Sequence, residues 1–193
     1  MYKRQVEAFD PQAGTWAEVP PLPTGREVSA AAVVGGRLFA IGGFADDHFL
    51  STVEAFDPQT GVWAAVAPMP TAREGLGAAV LDDKIYAVGG CDGSYNDLAS
   101  MEVYDPATNA WSQAPPMGTA RTTLGVAALG GKLYAAGGFS SGNRLSSVEV
   151  FDPQTNAWTP LAPMSTARTA FAMAAVQGKL YAAGGHDLSL IHI

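Results

Sequence analysis

The sequence is short of the residues that announce chemistry. Among 193 residues there is one cysteine, Cys91, and there are three histidines, His48, His186 and His192. A single thiol excludes an internal disulfide and suits a reducing compartment, so a cytoplasmic location is expected. The histidines stand at non-equivalent places, and no His, Cys or carboxylate group clusters as metal ligands do, so no metal or other cofactor is expected. Cys91 has no partner histidine to mark it as a nucleophile, and "GGKL" lacks the Ser or Thr that follows Lys in a phosphate-binding loop. Positive charge is scarce too. Eleven Lys and Arg against 18 Asp and Glu leave a formal net charge of −7, without the basic face that nucleic acid requires. No apolar run approaches the ~18 residues of a membrane span, and no helical periodicity occurs anywhere. The 48% hydrophobic and 15% charged content nevertheless describes a packed globular array rather than a disordered chain.

What the sequence does contain is repetition. The runs "RLFAIGGF", "KIYAVGGC", "KLYAAGGF" and "KLYAAGGH" place glycine pairs at Gly42-Gly43, Gly89-Gly90, Gly137-Gly138 and Gly184-Gly185, spaced by 47, 48 and 47 residues. The same spacings separate Trp16, Trp63, Trp111 and Trp158, the arginines Arg26, Arg73, Arg121 and Arg168, and the Asp-Pro pairs beginning at Asp10, Asp57, Asp105 and Asp152. Within a unit, "GAAVL", a two-residue turn and "KIYAV" form a tight hairpin. A variable polar stretch follows, then the alternating "SMEVYDP", a turn with Gly or Asn, and "WSQAPPM". Each unit is thus four short antiparallel strands, A to D, and four-stranded units at this period form the blades of a β-propeller. The alanine-rich A strands suit the crowded axis. Strands A and B, apolar on both faces, are expected to be buried between blades, with the alternating strand C further out.

The double glycine after an aliphatic strand, then "VEVYDP", Trp, "APM" and Arg, resembles the kelch repeat, and the resemblance covers residues 5 to 185. It implies that the glycine pairs let the backbone turn where strand B ends and that the Trp indoles cover the backbone so exposed. The glycine pairs, tryptophans and motif arginines would then be scaffold. By this parsing the chain is one all-β domain, 1–193, with full blades at about 28–66, 76–114 and 124–162 and half-blades at 5–20 and 170–185. The ends, 1–4 and 188–193, depart from the repeat and read like junction sequence. Kelch propellers more usually have five to seven blades, so a piece of a longer propeller is expected, open to self-association through its blade edges. The alternative is that the half-blades meet and close a four-bladed ring.

In an A-B-C-D meander the A–B and C–D turns lie at one end, and here they are nearly uniform. The B–C and D–A connections lie at the other end and vary: "FADDHFL", "CDGSYNDLA", "FSSGNRL", and after the arginines "EV", "EG", "TT" and "TA". One-sided diversity predicts that a ligand is read there. The candidates from the residues themselves are Phe44, Phe49, Tyr95 and Phe139 with Glu27, Glu74, Asn96, Asn143 and Arg144. The resemblance implies the same face, because kelch substrate adaptors bind peptides on these loops. Its matching positions are Glu27, Glu74, Thr122 and Thr169 after the arginines, and Phe44, Cys91, Phe139 and His186 after the glycine pairs. The motif arginines either satisfy backbone carbonyls between blades or line a pocket for an acidic ligand. Glu and Thr at the post-arginine positions argue against an acidic peptide. The expected function is a non-catalytic module binding a protein or peptide, with neither nucleic acid nor membrane as a partner. The alternative is a sugar- or metabolite-binding propeller, part of a mutarotase- or oxidase-like enzyme.

Overall fold

The computed structural model describes residues 3–187. Among them there is no helix. The chain starts with a hairpin of β1 (Val6–Asp10) and β2 (Thr15–Val19). The first four-stranded sheet holds β3 (Ala30–Val34) and β4 (Arg37–Ile41); beyond a miniature hairpin of β5 (Phe44–Ala45) and β6 (His48–Phe49), it is completed by β7 (Val53–Asp57) and β8 (Val62–Val66). The second unit opens with β9 (Arg73–Glu74), β10 (Gly77–Leu81) and β11 (Lys84–Val88). There β12 (Cys91–Asp92) pairs back to β9, before β13 (Met101–Asp105) and β14 (Ala110–Ala114). The third contains β15 (Gly125–Leu129), β16 (Lys132–Ala136), the miniature β17 (Phe139–Ser140) and β18 (Asn143–Arg144), β19 (Val148–Asp152) and β20 (Ala157–Leu161). A last hairpin joins β21 (Ala172–Val176) to β22 (Lys179–Ala183). Each full sheet has the strand order A-B-C-D, wholly antiparallel. This is the all-β blade architecture that the repeat predicts.

Turn chemistry explains the uniform end. The A–B turns take positive φ at both central residues, at Asp82 and Asp83 (50° and 56°) as at the Gly35-Gly36 pair (58° and 72°), which matches the twist of a two-residue hairpin. At the C–D turn the Asp57 carboxylate accepts from Gln59 N (2.8 Å), and Gly61 N donates to Asp57 O (2.8 Å). Asn109 and Asn156 take the left-handed position there in later blades, with φ 50° and 52°.

The A strands β3, β10, β15 and β21 stand side by side around the axis. Their crowding accounts for their small residues, since a Cβ on Gly77 would lie 2.2 Å from Val126 Cγ2. Between the first and second blades Phe39, Ile41, Val53, Met69, Ile85 and Tyr104 form one buried cluster. Val88, Met101, Met117, Leu124, Leu133 and Phe151 form the next. Each such side chain contributes roughly 1.5–3 kcal/mol on burial.

The burial of the strands differs from expectation. Strand C is the most enclosed, with the first four residues of β7, β13 and β19 buried, whereas strand A leaves alternate residues partly open. Alternation of Val and Glu in strand C reads as one wet face. In the folded blade both faces are covered, and the glutamates Glu54, Glu102 and Glu149 are 4%, 0% and 5% exposed because each has a buried cation opposite.

The indoles do not cover the glycine pairs. Each stands at the opposite end of its blade, packed on the cross-strand ring, as Trp63 on Phe56 (5.1 Å between centroids) and Trp111 on Tyr104 (5.2 Å). Their Nε1 groups tie blade to blade: Trp63 donates to Pro20 O, Trp111 to Ala67 O and Trp158 to Pro115 O, at 2.8, 2.8 and 2.9 Å. Trp16 packs on Phe9 (5.3 Å) and is 67% exposed. In the first blade, what meets the glycine pair most closely is backbone, with Met69 and Ser29 beside it. A Cβ on Gly42 would lie 2.6 Å from Arg73 O and 2.8 Å from Met69 Cε, and one on Gly43 would lie 2.6 Å from Glu27 O.

The hairpins β1–β2 and β21–β22 remain separate two-stranded sheets among the described residues. Residues 1–2 and 188–193, part of the atypical ends, lie outside the described residues. Lys3 and Arg4 lie inside. Their carbonyls accept from Arg26 N (3.3 Å) and Leu22 N (2.8 Å), as those of Leu50 and Ser51 accept from Arg73 N (3.1 Å) and Met69 N (2.8 Å) one unit later.

Candidate functional site

The variable end of the blades rests on a buried polar ladder. Arg73 O accepts from Gly43 N of the first blade (2.9 Å), while its guanidinium reaches into the second: Nη1 donates to Gly89 O (2.9 Å) and Ser100 O (3.3 Å), and Nη2 lies 2.8 Å from Glu102. Arg121 repeats the pattern with Gly90 N, Gly137 O, Ser147 O and Glu149 at 2.9, 2.9, 3.0 and 2.7 Å. Arg26 donates to Gly42 O (2.7 Å) and Glu54 (2.8 Å), and Arg168 donates to Gly184 O (3.0 Å). Arg26, Arg73 and Arg121 are 6%, 0% and 0% exposed, so their guanidinium groups are not presented to a ligand. Burial pulls the Arg73 pKa below its ordinary value, opposed by the Glu102 charge. The three glutamates are not among the residues that the sequence singles out. Their signal is a nearly constant offset, Glu54 and Glu149 each lying 28 residues after their arginine and Glu102 one residue further from Arg73.

Above the ladder, the two loop sets meet residue by residue. Glu27 pairs with Phe44, Glu74 with Cys91, Thr122 with Phe139 and Thr169 with His186, each post-arginine position against its post-glycine position. The next residue after each pair's first member carries an inner spiral that the sequence does not reveal. Val28, Gly75, Thr123 and Ala170 all have left-handed φ (51°, 60°, 50° and 53°). Gly75 N donates to Val28 O (2.9 Å), Thr123 N to Gly75 O (2.6 Å) and Ala170 N to Thr123 O (2.9 Å), binding four D–A loops around the axis. The Thr123 and Thr169 hydroxyls share a hydrogen bond in the same layer. A cleft of about 180 Å³ opens there between Val28, Leu76, Leu124 and Phe171.

The B–C loops are miniature hairpins in the first and third blades and a turn built on Asp92 in the second. Asp46 and Asp47 turn β5 into β6 with φ 48° and 60°. In the second blade the Asp92 carboxylate accepts from Ser94 N (2.9 Å), Asn96 N (3.0 Å) and Asn96 Nδ2 (3.2 Å), bonds that hold it below the usual carboxylate range. Tyr95 N donates to Asp92 O (2.8 Å), fixing Tyr95 at φ 60° with 75% of its surface exposed. Three rings then run from the first blade to the second. Phe44 meets Phe49 and Phe49 meets Tyr95, each edge to face with centroids 5.3 Å apart. Ser141 N donates to Asp97 Oδ2 (2.9 Å), extending the surface to the third blade, where Phe139 and Arg144 are half-buried and Asn143 is exposed.

Not every candidate residue lies open on this face. Glu27, Asn96 and His186 are exposed and Glu74 and Thr122 half-buried, but Cys91 and Thr169 are 9% and 8% exposed. Burial, reinforced by Asp97, Glu74 and Asp92, pushes the Cys91 thiol up to about 11. Iodoacetamide should therefore alkylate it at neutral pH roughly a hundredfold more slowly than an ordinary thiol, the rate still rising tenfold per pH unit above pH ~9. A rate that levels off near pH ~8 would contradict this environment. Among the described residues no three His, Cys, Asp or Glu side chains gather as metal ligands would.

A family model of the KLHDC2/KLHL20/DRC7 kelch-repeats domain matches residues 2–185. The chain belongs to the kelch-repeat family. Kelch-like protein 1 of Mus musculus is 43% identical over 48 residues, and Kelch-like protein 35 of Mus musculus is 43% identical over 44. These stretches cover 25% and 23% of this kelch chain but only 6% and 8% of the relatives. The solved structure of YjhT superposes with a TM-score of 0.81, covering 95% of this chain and 72% of that one, at 20% identity. At that identity the likeness speaks to the fold alone, and it agrees with the propeller-blade architecture.

Proposed function

We propose that this kelch chain is a non-catalytic interaction module that binds a protein or peptide segment on the face built by its B–C and D–A loops. The observation that carries the reading is the aromatic run Phe44–Phe49–Tyr95, which crosses from one blade to the next and ends in a ring 75% exposed on a left-handed residue. A non-glycine residue at positive φ is strained, and an exposed ring returns little to the fold. Both features gain a purpose if the ring is an anchor for a partner. The turn hydrogen bonds to Asp92 that fix the Tyr95 backbone limit the entropy lost on binding.

Tyr95→Ala and Phe49→Ala should each weaken the binding of a peptide selected on the wild-type protein by at least about tenfold. Tyr95→Ala should change unfolding free energy by less than about 0.5 kcal/mol. Gln59→Ala and Gln154→Ala, on the uniform turns of the opposite end, should leave affinity unchanged. Fluorescence anisotropy with the selected peptide checks the set. Sensitivity at Gln59 and Gln154 with indifference at Tyr95 would move the binding face to the other end.

A further inference from the structure

The charge around the aromatic run is one-sided. Asp46 and Asp47 form the tip of the hairpin that carries Phe44 and Phe49, and Asp92 and Asp97 flank Tyr95. Glu27 pairs through its backbone with Phe44, and Glu74 holds the equivalent place in the next blade. Of the arginines near these six carboxylates, Arg73 lends charge to Asp92 from below, and neither it nor Arg26 is presented at the surface. Arg26 and Arg73 lie beneath the face, buried against Glu54 and Glu102 at 2.8 Å each. His48 holds a ring nitrogen 2.5 Å from Asp46 O, and Arg144 belongs to the third blade.

We infer that the occupant of this face is a cationic peptide segment, in which a Lys or Arg stem lies on the Phe49 and Tyr95 rings and its charged head engages Glu27 and Glu74. The inference rests on the proposed interaction role and adds the chemistry of the partner. A long basic side chain fits both halves of the surface, because its methylene stem packs on apolar rings while its head remains polar. An exposed ring also attracts the cation through its quadrupole. Glu74 gives a second indication: burial and the neighbouring Glu27 charge hold its carboxyl above the usual range. A cation placed between the two carboxylates would relieve that repulsion, whereas an acidic segment would add to it.

A displayed library of random linear peptides tests the inference. It is selected on the wild-type protein, on Glu27→Lys/Glu74→Lys, on Glu27→Gln/Glu74→Gln and on Tyr95→Ala, each first shown to melt cooperatively. Wild-type selections should enrich Lys or Arg next to an apolar residue. The enriched peptides should bind at least tenfold more weakly to the Lys/Lys variant, more weakly to the Gln/Gln variant, and more weakly as salt is raised from about 0.05 M to about 0.5 M. Neutral or acidic enrichment that still depends on Tyr95 would overturn the charge assignment while leaving the face intact. Basic peptides that bind wild type and Tyr95→Ala equally would overturn the proposal as ion exchange. Failure of any peptide to enrich would overturn both the proposal and the reading beneath it.

Discussion

Replacing Arg73 by Met should lower the unfolding free energy by about 3–5 kcal/mol, the range found when one partner of a buried ion pair is removed. Four groups face that guanidinium: the carbonyls of Gly89, Ser100 and, at 3.5 Å, Thr71, and the carboxylate of Glu102, itself fully buried. Arg121→Met should be less damaging, and the reason lies in one residue. In the third blade Glu149 keeps two backbone donors, Gly118 N (2.6 Å) and Thr119 N (3.1 Å), after the arginine is gone. In the second blade the residue matching Gly118 is Pro70, which has no N–H to give. Glu102 Oε1 accepts from Thr71 and Gln113, and its Oε2 is buried without a partner. The stranded charge is therefore more costly in the second blade. The double variant Arg73→Met/Glu102→Leu should be more stable than Arg73→Met, because it removes the uncompensated charge. Urea midpoints of wild type, the two single Met variants and the double variant decide the matter. Equal losses for the two arginines, or a double variant worse than the single, would show that the carboxylate is not the source of the penalty.

The blade is legible in the sequence because its period is long, its punctuation repeats four times and its turns use residues with one physical purpose. Asp-Pro followed by Gly or Asn, and paired glycines after an apolar run, mark strand ends whatever surrounds them. Positions whose role depends on a neighbouring blade are harder to read. Glu54, Glu102 and Glu149 sit in an alternating strand and look solvent-facing; only the arginine 28 or 29 residues earlier makes them core. The kelch resemblance places the indoles over the glycine pairs, but Trp begins strand D, far from where strand B ends, so it reaches the preceding blade's carbonyl instead. On the candidate face, loop variability locates the residues, and pairs such as Glu27 with Phe44 bring both loop sets together. Variability carries no depth, and so Cys91, at a position equivalent to the half-buried Phe44, gives no sign in the sequence of being buried. The inner spiral through Val28, Gly75, Thr123 and Ala170 has no sequence signature, since four different side chains share one backbone conformation.

Gly89→Ala should be nearly as damaging, about 3–5 kcal/mol, with a fall in Tm on the order of 10 °C. Two penalties coincide there. The residue has φ 65°, which an L-alanine adopts only under strain, and its Cβ would stand 2.5 Å from Arg121 O. That carbonyl has little freedom to retreat, because it already accepts from Gly90 N (2.9 Å) and its own side chain is anchored to Gly137, Ser147 and Glu149. The repeat supplies the control. Gly184 occupies the equivalent position with φ 75°, but a Cβ built on it meets nothing within 4 Å. Gly184→Ala therefore keeps the backbone strain and omits the collision, and should cost about 1 kcal/mol. The difference between the two variants measures how firmly one blade is pressed against the next at its arginine. If thermal or urea unfolding gave the two alanines the same loss, the close approach of Gly89 to Arg121 would carry no weight, and the glycine pair would be explained by φ alone.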